Sequence, residues 1–249
     1  MNVVLLCAGY ATRLYPLTEN TPKPLLPVAG KPMLEHILDR VEKVPGIERI
    51  FLVTNHKFAP HFEKWSKTAK FSKKIEVVDD MTTSNENRLG AIGDLAYTLK
   101  KNNVGAVDLM VLAGDNLFDF DLVEFIGHAK AMRPHGVIAV YDVKDKELAK
   151  QYGLVGFDSK GTVLEFYEKP ANPPTTMASC GVYYLPKETR VLLDRYLAEG
   201  NNPDQPGHYM GWLVKNGGLS AVPLEGQWLD IGDLASYKKA DEMCMSFRK

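Results

Sequence analysis

The chain has 249 residues, of which 45% are hydrophobic and 24% charged, the make-up of an ordinary soluble globular protein long enough to bury a substantial core. Lys plus Arg number 30 against 31 Asp plus Glu, a formal net charge of -1, so no global field draws the chain to nucleic acid or to an anionic membrane. Any affinity for phosphate must be local. Cys7, Cys180 and Cys244 are widely spaced and form neither a disulfide framework nor a metal-ligand spacing, which suits small core residues in a reducing cytoplasm. The apolar run over residues 3–8 is too short to span a bilayer and lacks the basic flank of a signal peptide.

That run instead reads as the end of a buried strand over residues 2–7. Residues 33–44 carry Leu34, Ile37, Leu38 and Val41 at the spacing of one helical face. Strands at 50–54, 75–79, 109–113 and 137–142 then alternate with helices at 60–70, 90–100 and 122–132. Parallel strands need crossover connections, so this order predicts an α/β fold around a mainly parallel central sheet. The uninterrupted apolar strands VVLLC and DLMVLA fit a sheet covered on both faces. Beyond residue 150 the texture changes to a hairpin (154–158 and 163–167) around a Ser-Lys-Gly turn. A loop holding Pro170, Pro173 and Pro174 leads to a strand at 178–185. One helix at 187–198 and a last one at 234–246 follow. No repeat, low-complexity tract or separating linker is visible, so a single domain over 1–249 is expected, its second half elaborating the first sheet.

The loop after the first strand reads AGYATRLYPLTENTPKPLLPVAGKPML. In an open α/β sheet, ligands bind beyond the carboxyl ends of the strands. A loop this long is functional or disordered, and Pro22, Pro24 and Pro27 around Lys23 stiffen it against disorder. Ala8 and Gly9 have little or no side chain, so backbone N–H groups there can approach an anion. Arg13 can grip phosphate with two N–H groups, and Lys23 can add a point charge. Asp115 follows a hydrophobic strand in VLAGDN, where a ligand contact and a simple turn or cap are equally open. Asp233 reads as the N-cap of the last helix.

The loop resembles the signature of the sugar-phosphate nucleotidyltransferases, LAGGxGTRLxPLT followed by KPLLPV and GKP. Gly9, Thr12, Arg13, Leu14, Pro16, Leu17, Thr18, Lys23 and Pro24 match it, whereas Ala8 and Ala11 stand where the family commonly has glycine, and Tyr10 also departs. The resemblance covers nearly the whole chain. It implies a three-layer α-β-α Rossmann-like sandwich with a β-rich acceptor-binding elaboration. Residues 1–118 would then bind nucleotide, 119–232 the acceptor, and 233–249 form a C-terminal helix. It further implies that Ala8, Gly9, Thr12, Arg13, Asn85 and Gly90 contact the nucleotide. The base-reading segment itself departs from the family, with Asn85, Asn87, Arg88 and Gly90 in MTTSNENRLGAIGD.

By the same resemblance, Asp115 and Asp230 (in WLDIGD) would hold one Mg²⁺, and Arg13, Lys23 and Lys169 would be the catalytic cations. The acceptor pocket would comprise Tyr152, Gly153, Glu168, Lys169 and Gly181. Glu168 would accept hydrogen bonds from acceptor hydroxyls, Lys169 would neutralise the acceptor phosphate, and the two glycines would leave room for a ring. The implied activity is transfer of a nucleoside monophosphate from a nucleoside triphosphate to a sugar 1-phosphate, in the cytoplasm, with no nucleic acid or membrane partner. Two alternatives stay open: a non-sugar acceptor such as phosphocholine, and a non-catalytic nucleotide-sugar-binding regulator. A homo-oligomer is also open. Only a short stretch follows WLDIGD in this sequence, so the repeat-bearing extension of members that add an acyltransferase domain is not expected.

Overall fold

In the computed structural model, which describes residues 1–246, strands and helices alternate as the apolar pattern predicts. Residues 247–249 of the expected C-terminal segment lie outside the described residues. The chain begins with β1 (Asn2–Leu6), and the long loop that follows contains two 3-10 turns and a short ribbon, β2 (Pro27–Val28) with β3 (Lys31–Pro32). Next come α1 (Met33–Val41), β4 (Arg49–Thr54), α2 (Ala59–Ser66), β5 (Ile75–Asp79) and α3 (Ala91–Lys101). They are followed by β6 (Leu109–Ala113), β7 (Asn116–Phe118), α4 (Leu122–Ala131), β8 (Gly136–Asp142) and the single turn α5 (Lys146–Ala149). The hairpin is β9 (Gly153–Phe157) and β10 (Val163–Glu168), then β11 (Met177–Leu185). The remainder is α6 (Lys187–Arg190), α7 (Leu192–Ala198), α8 (Pro206–Asn216), β12 (Leu219–Pro223), β13 (Trp228–Asp230) and α9 (Leu234–Ser246).

Successive side chains on a strand point to opposite faces, and each central strand here is apolar on both. Val3, Leu5, Ile50, Leu52, Met110 and Leu112 face one way, against Leu34, Ile37 and Leu38 of α1, Phe62 of α2 and Phe125 of α4. Val4, Phe51, Val53, Leu109 and Val111 face the other, against Ile92 and Leu95 of α3, Tyr196 of α7, and Tyr209 and Leu213 of α8. Those two cores make the three-layer α-β-α sandwich. Burying a side chain such as Phe62 completely contributes roughly 1.5–3 kcal/mol, so the doubly apolar strands hold the sheet centrally.

Strands β5, β4, β1 and β6 run parallel, in that spatial order. Antiparallel β11 follows β6, antiparallel β8 follows β11, and β12 lies parallel to β8. Because β8 occupies one edge of β11, β6 and β9 share the other: β6 pairs with Val182 to Leu185, and β9 with Ala178. Residues 179–181 between them lack a strand partner on that edge, and the β11 register shifts there. A cleft therefore opens beside the carboxyl end of β6, the end at which ligands are expected.

The expected helix over 187–198 is instead two short helices. The backbone stays helical through Val191 (φ -66, ψ -16), so the interruption lies in the hydrogen-bond ladder rather than the path. Helix α8 escapes sequence reading because Pro206, Gly207 and Gly211 dilute its pattern, although Tyr209, Met210 and Leu213 are buried at helical spacing. No described helix is long and apolar enough to cross a membrane.

The start of α3 is capped by main chain from the segment before α8. Ala91 N donates to Asp204 O at 3.0 Å and Ile92 N to Pro203 O at 2.9 Å, satisfying first-turn amides that have no partner in the helix. Gly90 makes this approach possible, with φ at +80°, and a Cβ there would stand 2.4 Å from Asp204 Cα. Gly90→Ala is expected to lose roughly 2–4 kcal/mol of stability in urea unfolding, combining left-handed strain with backbone overlap.

Candidate active site

The first loop is held against the C-terminal part of the chain by a third, smaller core. Leu14, Val28 and Met33 pack with Leu117, Ile231 and Ala240. Arg13 lies in the 3-10 turn Thr12–Leu14, entered through Ala11 in the left-handed region (φ 48, ψ 42). Glycine, which has no Cβ, adopts that backbone without penalty, which explains glycine at this place in the family pattern, whereas at Ala11 it costs roughly 1–2 kcal/mol. Here the buried Thr18 hydroxyl holds the Ala11 carbonyl at 2.7 Å. Gly9 differs in kind: a Cβ there would meet nothing within 4 Å, so packing does not demand glycine, and the open space belongs to a cavity.

Lys23 is drawn inward by the second turn, Lys23–Leu25, and its side chain keeps only 9% of its accessibility. A charge this buried requires a partner. It has one in Asp115, whose Oδ2 accepts from Lys23 Nζ at 2.8 Å. Asp115 follows Gly114 in the turn after β6, and Gly114 packs so closely that a Cβ would come within 2.4 Å of Cys7 Sγ. The ribbon β7–β13 then pairs Asn116 with Asp230, carrying a residue from near the end of the chain to the side of Asp115. Asn116 is oriented by Trp228, whose Nε1 donates to Asn116 Oδ1 at 2.7 Å. The amide's other end is thereby turned to both carboxylates, with Nδ2 at 2.9 Å from Asp115 Oδ1 and 3.4 Å from Asp230 Oδ1.

Two carboxylates this close differ in acidity according to their partners. Desolvation works to raise Asp115, but the Lys23 ammonium and the Asn116 amide outweigh it and hold the carboxyl below its ordinary range. Asp230 lacks such a close cation. Burial first, and the charge on Asp115 second, push it up to about 6, against weaker pulls from Lys23, Arg13 and Lys169.

The cleft comprises two cavities. One, of about 450 Å³, is lined by Ala8, Gly9, Thr12, Arg13, Asn85 and Gly90, together with Tyr10, Lys23, Arg88 and Asp94. The other, of about 730 Å³, is lined by Tyr152, Gly153, Glu168, Lys169, Gly181 and Asp230. Arg13, Ala113, Asp115, Pro206 and Gly232 line both, so the cavities meet at the carboxylate pair. The structure thus brings the residues expected at the nucleotide, the acceptor, the metal and the reacting phosphates to one continuous cleft, while Asn87 of the base-reading segment lines neither cavity.

Two of those residues act differently from expectation. Gly153 and Gly181 were expected to leave room for an acceptor ring, but the space is filled by protein. A Cβ on Gly153 would lie 2.6 Å from the Phe166 ring and 3.3 Å from Glu168 Oε2, and one on Gly181 (φ +68) would lie 2.8 Å from Ala113 Cβ. Their missing side chains let neighbours close in, which shapes the cavity wall. Glu168 is wedged further by Gly207 at the start of α8, where a Cβ would come within 1.9 Å of Oε2. Burial raises the Glu168 pKa, opposed by Lys169 and His208. Lys169 keeps 54% of its side-chain accessibility, sits in the left-handed region (φ 45) and has Nζ 3.9 Å from Glu168 Oε1. Asp233 caps α9 as expected, accepting the Ser236 amide at 2.8 Å. Sequence reading missed Asn116, Trp228 and the 204–207 segment, since only the β7–β13 ribbon and α8 bring them here.

A family model described as nucleotidyl transferase matches residues 2–246. The chain belongs to the nucleotidyl transferase family. Among its relatives is the bifunctional protein GlmU of Methanocaldococcus jannaschii, 30% identical over 232 residues, which cover 93% of this chain and 51% of the relative. A UTP–glucose-1-phosphate uridylyltransferase of Synechocystis sp. is 30% identical over 252 residues, 96% of this chain and 62% of that protein. A mannose-1-phosphate guanylyltransferase of Mycobacterium tuberculosis is 32% identical over 195 residues, covering 78% and 50%. The chain spans about half the length of the GlmU relatives it matches. A solved Bacillus anthracis structure, assigned as a glucose-1-phosphate thymidylyltransferase in complex with a sucrose, shares the fold with a TM-score of 0.78 at 23% identity, covering 97% of this chain and 94% of that one.

In this nucleotidyl transferase, Asp115 and Asp230 also meet the needs of a hard divalent cation: carboxylate oxygens only, two of them, open to a cavity that can admit phosphate oxygens. Among the described residues no third acidic, His or Cys side chain joins them. Asp230 is costly to the fold when the cation is absent. Its native pKa of about 6 lies above the ordinary 3.8, so its charge destabilises the native state fully above pH 6. The penalty fades as pH falls between those values and vanishes below about 4. Asp230→Asn is therefore expected to raise the metal-free Tm by a few degrees at pH 7.5 and by nothing at pH 3.5, measured by thermal unfolding in chelator.

Proposed function

We propose that the protein transfers a nucleoside monophosphate from a nucleoside triphosphate to a sugar 1-phosphate, releasing pyrophosphate, in the cytoplasm. The observation that carries this reading is the junction of the two cavities at Arg13 and Asp115. A triphosphate in the smaller cavity and a phosphorylated acceptor in the larger one would meet there. Within one domain, residues 1–118 would bind nucleotide and 119–232 the acceptor, with α9 bracing the first loop.

The reaction is an in-line attack by an acceptor phosphate oxygen on the α-phosphorus. That oxygen is already an anion, so no general base is needed. Charge is the obstacle: two unit like charges at ~4 Å repel by roughly 4 kcal/mol at an effective dielectric of 20, and several meet at once. Positioning and neutralisation therefore supply most of the catalysis. Open backbone at Ala8 and Gly9, with Arg13, would hold the β- and γ-phosphates. Lys23 would face the α-phosphate, held in place by Asp115, and Lys169 would bind the acceptor phosphate, its accessible ammonium free to swing. Glu168, fixed by neighbouring Gly153 and Gly207, would accept hydrogen bonds from acceptor hydroxyls. Magnesium held by Asp115 and Asp230 would, when bound, supply a double positive charge against the phosphates.

Asp115→Asn tests the centre. Its amide oxygen can still accept from Lys23, but the buried ammonium loses its counter-charge and the new NH2 faces the Asn116 amide. A lowered Tm is therefore expected as well, and activity is compared well below it. Turnover is expected to fall at least about a hundredfold with an unchanged circular dichroism spectrum. Near-normal turnover would remove Asp115 from the reaction. The substrate class is tested by pyrophosphate release from a matrix of nucleoside triphosphates against sugar 1-phosphates, with phosphocholine as the non-sugar acceptor. Release with phosphocholine alone would overturn the sugar, and release with none would overturn the transfer.

A further inference from the structure

Asp80, just beyond β5, and Asp94, in the first turn of α3, meet behind the nucleotide cavity and take no part in the chemistry above. Both are buried, at 3% and 5% exposure, and the two carboxyl groups lie close enough to perturb each other's acidity. Asp80 Oδ1 accepts the Thr82 amide at 2.6 Å. Asp80 Oδ2 and Asp94 Oδ1 receive no N–H or hydroxyl donor from any described residue. Two ionised carboxylates are acceptors only, so these neighbouring buried oxygens can satisfy each other only with a proton on one of them. A buried pair of this kind shares a single proton.

The pair stands at the root of the segment that walls the smaller cavity. Asp94 lines that cavity itself, and Tyr10, another lining residue, approaches Thr82 Oγ1 at 3.4 Å. The groups facing the pair are mostly acidic. Asp79, paired with His56, lies beside Asp80, Tyr10 faces both carboxyl groups and has Glu86 near it in turn, and Asp204 faces Asp94 from before α8. Of the nearby cations, Arg88 is committed to Asp204 at 2.8 Å and Lys101 of α3 donates to the Asp79 carbonyl at 2.9 Å. Burial, then Asp80, then Asp204 push Asp94 up to about 8, so the proton is retained at neutral pH.

We propose that the proton shared by Asp80 and Asp94 is a positioning element for the nucleotide, clasping residues 80–90 to α3 and keeping the cavity wall at one negative charge rather than two. The proposal rests on the nucleotide reading of that cavity. Losing the proton places a second charge behind a site meant for a polyanion and removes the hydrogen bond that ties the wall to the helix. Affinity for nucleotide should then fall as the pair ionises, while the phosphate-binding loop stays as it was.

The test begins with the free protein. Carboxyl ¹³C resonances should show one aspartate titrating near pH 8 in the wild type and none there in Asp94→Asn or Asp80→Asn, and a wild type with no aspartate titrating above pH 7 overturns the proposal. Binding of ATP, CTP, GTP, UTP and dTTP is then measured by calorimetry. The triphosphate that binds at pH 7 should bind the wild type roughly tenfold more weakly at pH 9, as expected for one proton lost near pH 8. Asp94→Asn keeps an N–H donor toward Asp80 without a titrating proton, so its affinity should change far less over that range. Ionisations common to both proteins cancel in this ratio. Should Asp94→Asn fail to fold, Asp80→Asn provides the same comparison. Parallel pH profiles in wild type and variant overturn the pair's role alone, whereas no binding of any triphosphate at pH 7 overturns the nucleotide reading as well.

Discussion

Two negative charges held beside each other are the constraint around which the site is built. Asp115 and Asp230 share the amide of Asn116, and neither strand geometry nor apolar packing rewards bringing them together. Their closeness is held by elements that are stable for other reasons. Lys23 is pinned by a proline-rich turn, Trp228 orients Asn116, and the third core of Leu14, Leu117 and Ile231 locks the first loop to the β7–β13 ribbon. The unequal acidity of the two carboxyls records what remains unbalanced: the Lys23 side of the pair is neutralised and the Asp230 side is not. A site in this condition favours added positive charge, and under the proposed function it would attract phosphate once that charge is present.

The same logic explains the division of labour between the two halves of the sheet. Parallel strands β5, β4, β1 and β6 bring their carboxyl ends, and the loops after them, to one edge. Antiparallel β11 then gives one edge to both β6 and β9, which leaves the gap that becomes the larger cavity. A fully parallel sheet would have filled that gap with another strand. The change in texture after residue 150 is thus the means by which a second binding space lies directly beside the first.

Much of this was legible in the sequence, and for identifiable reasons. The doubly apolar strands and the 3.6-residue pattern of α1 announce the sandwich because burial on both faces leaves a continuous apolar run. Arg13 and Lys23 were visible because the loop that carries them is long and stiffened by prolines, whereas Asp115 at its strand end reads equally well as a turn or cap without the family resemblance. The partnership of Asn116 with Asp230 was not visible from residue properties, since it joins positions 114 residues apart through a three-residue ribbon. Helix α8 was hidden by a proline and two glycines, and with it the 204–207 segment that touches both cavities. The glycines at 153 and 181 were noticed, but their purpose was misread. A missing Cβ can admit either a ligand or a neighbouring side chain, and only coordinates distinguish the two.

That distinction bears on how the acceptor would be selected. If the glycines had left empty volume, a range of rings would fit and discrimination would rest on the exposed Lys169. Instead Gly153 and Gly207 let Glu168 and Phe166 press together, so the carboxylate has little freedom to follow a differently shaped acceptor. A hydrogen-bond acceptor held in one place discriminates more strongly than a mobile one, because a ligand that fails to meet it leaves a partly buried polar group unsatisfied. Lys169 provides the complementary property, reach without shape, which suits a phosphate that must move toward the α-phosphorus. In the proposed reaction, recognition of the acceptor body and delivery of its phosphate would thereby fall to adjacent residues of opposite charge and unequal exposure.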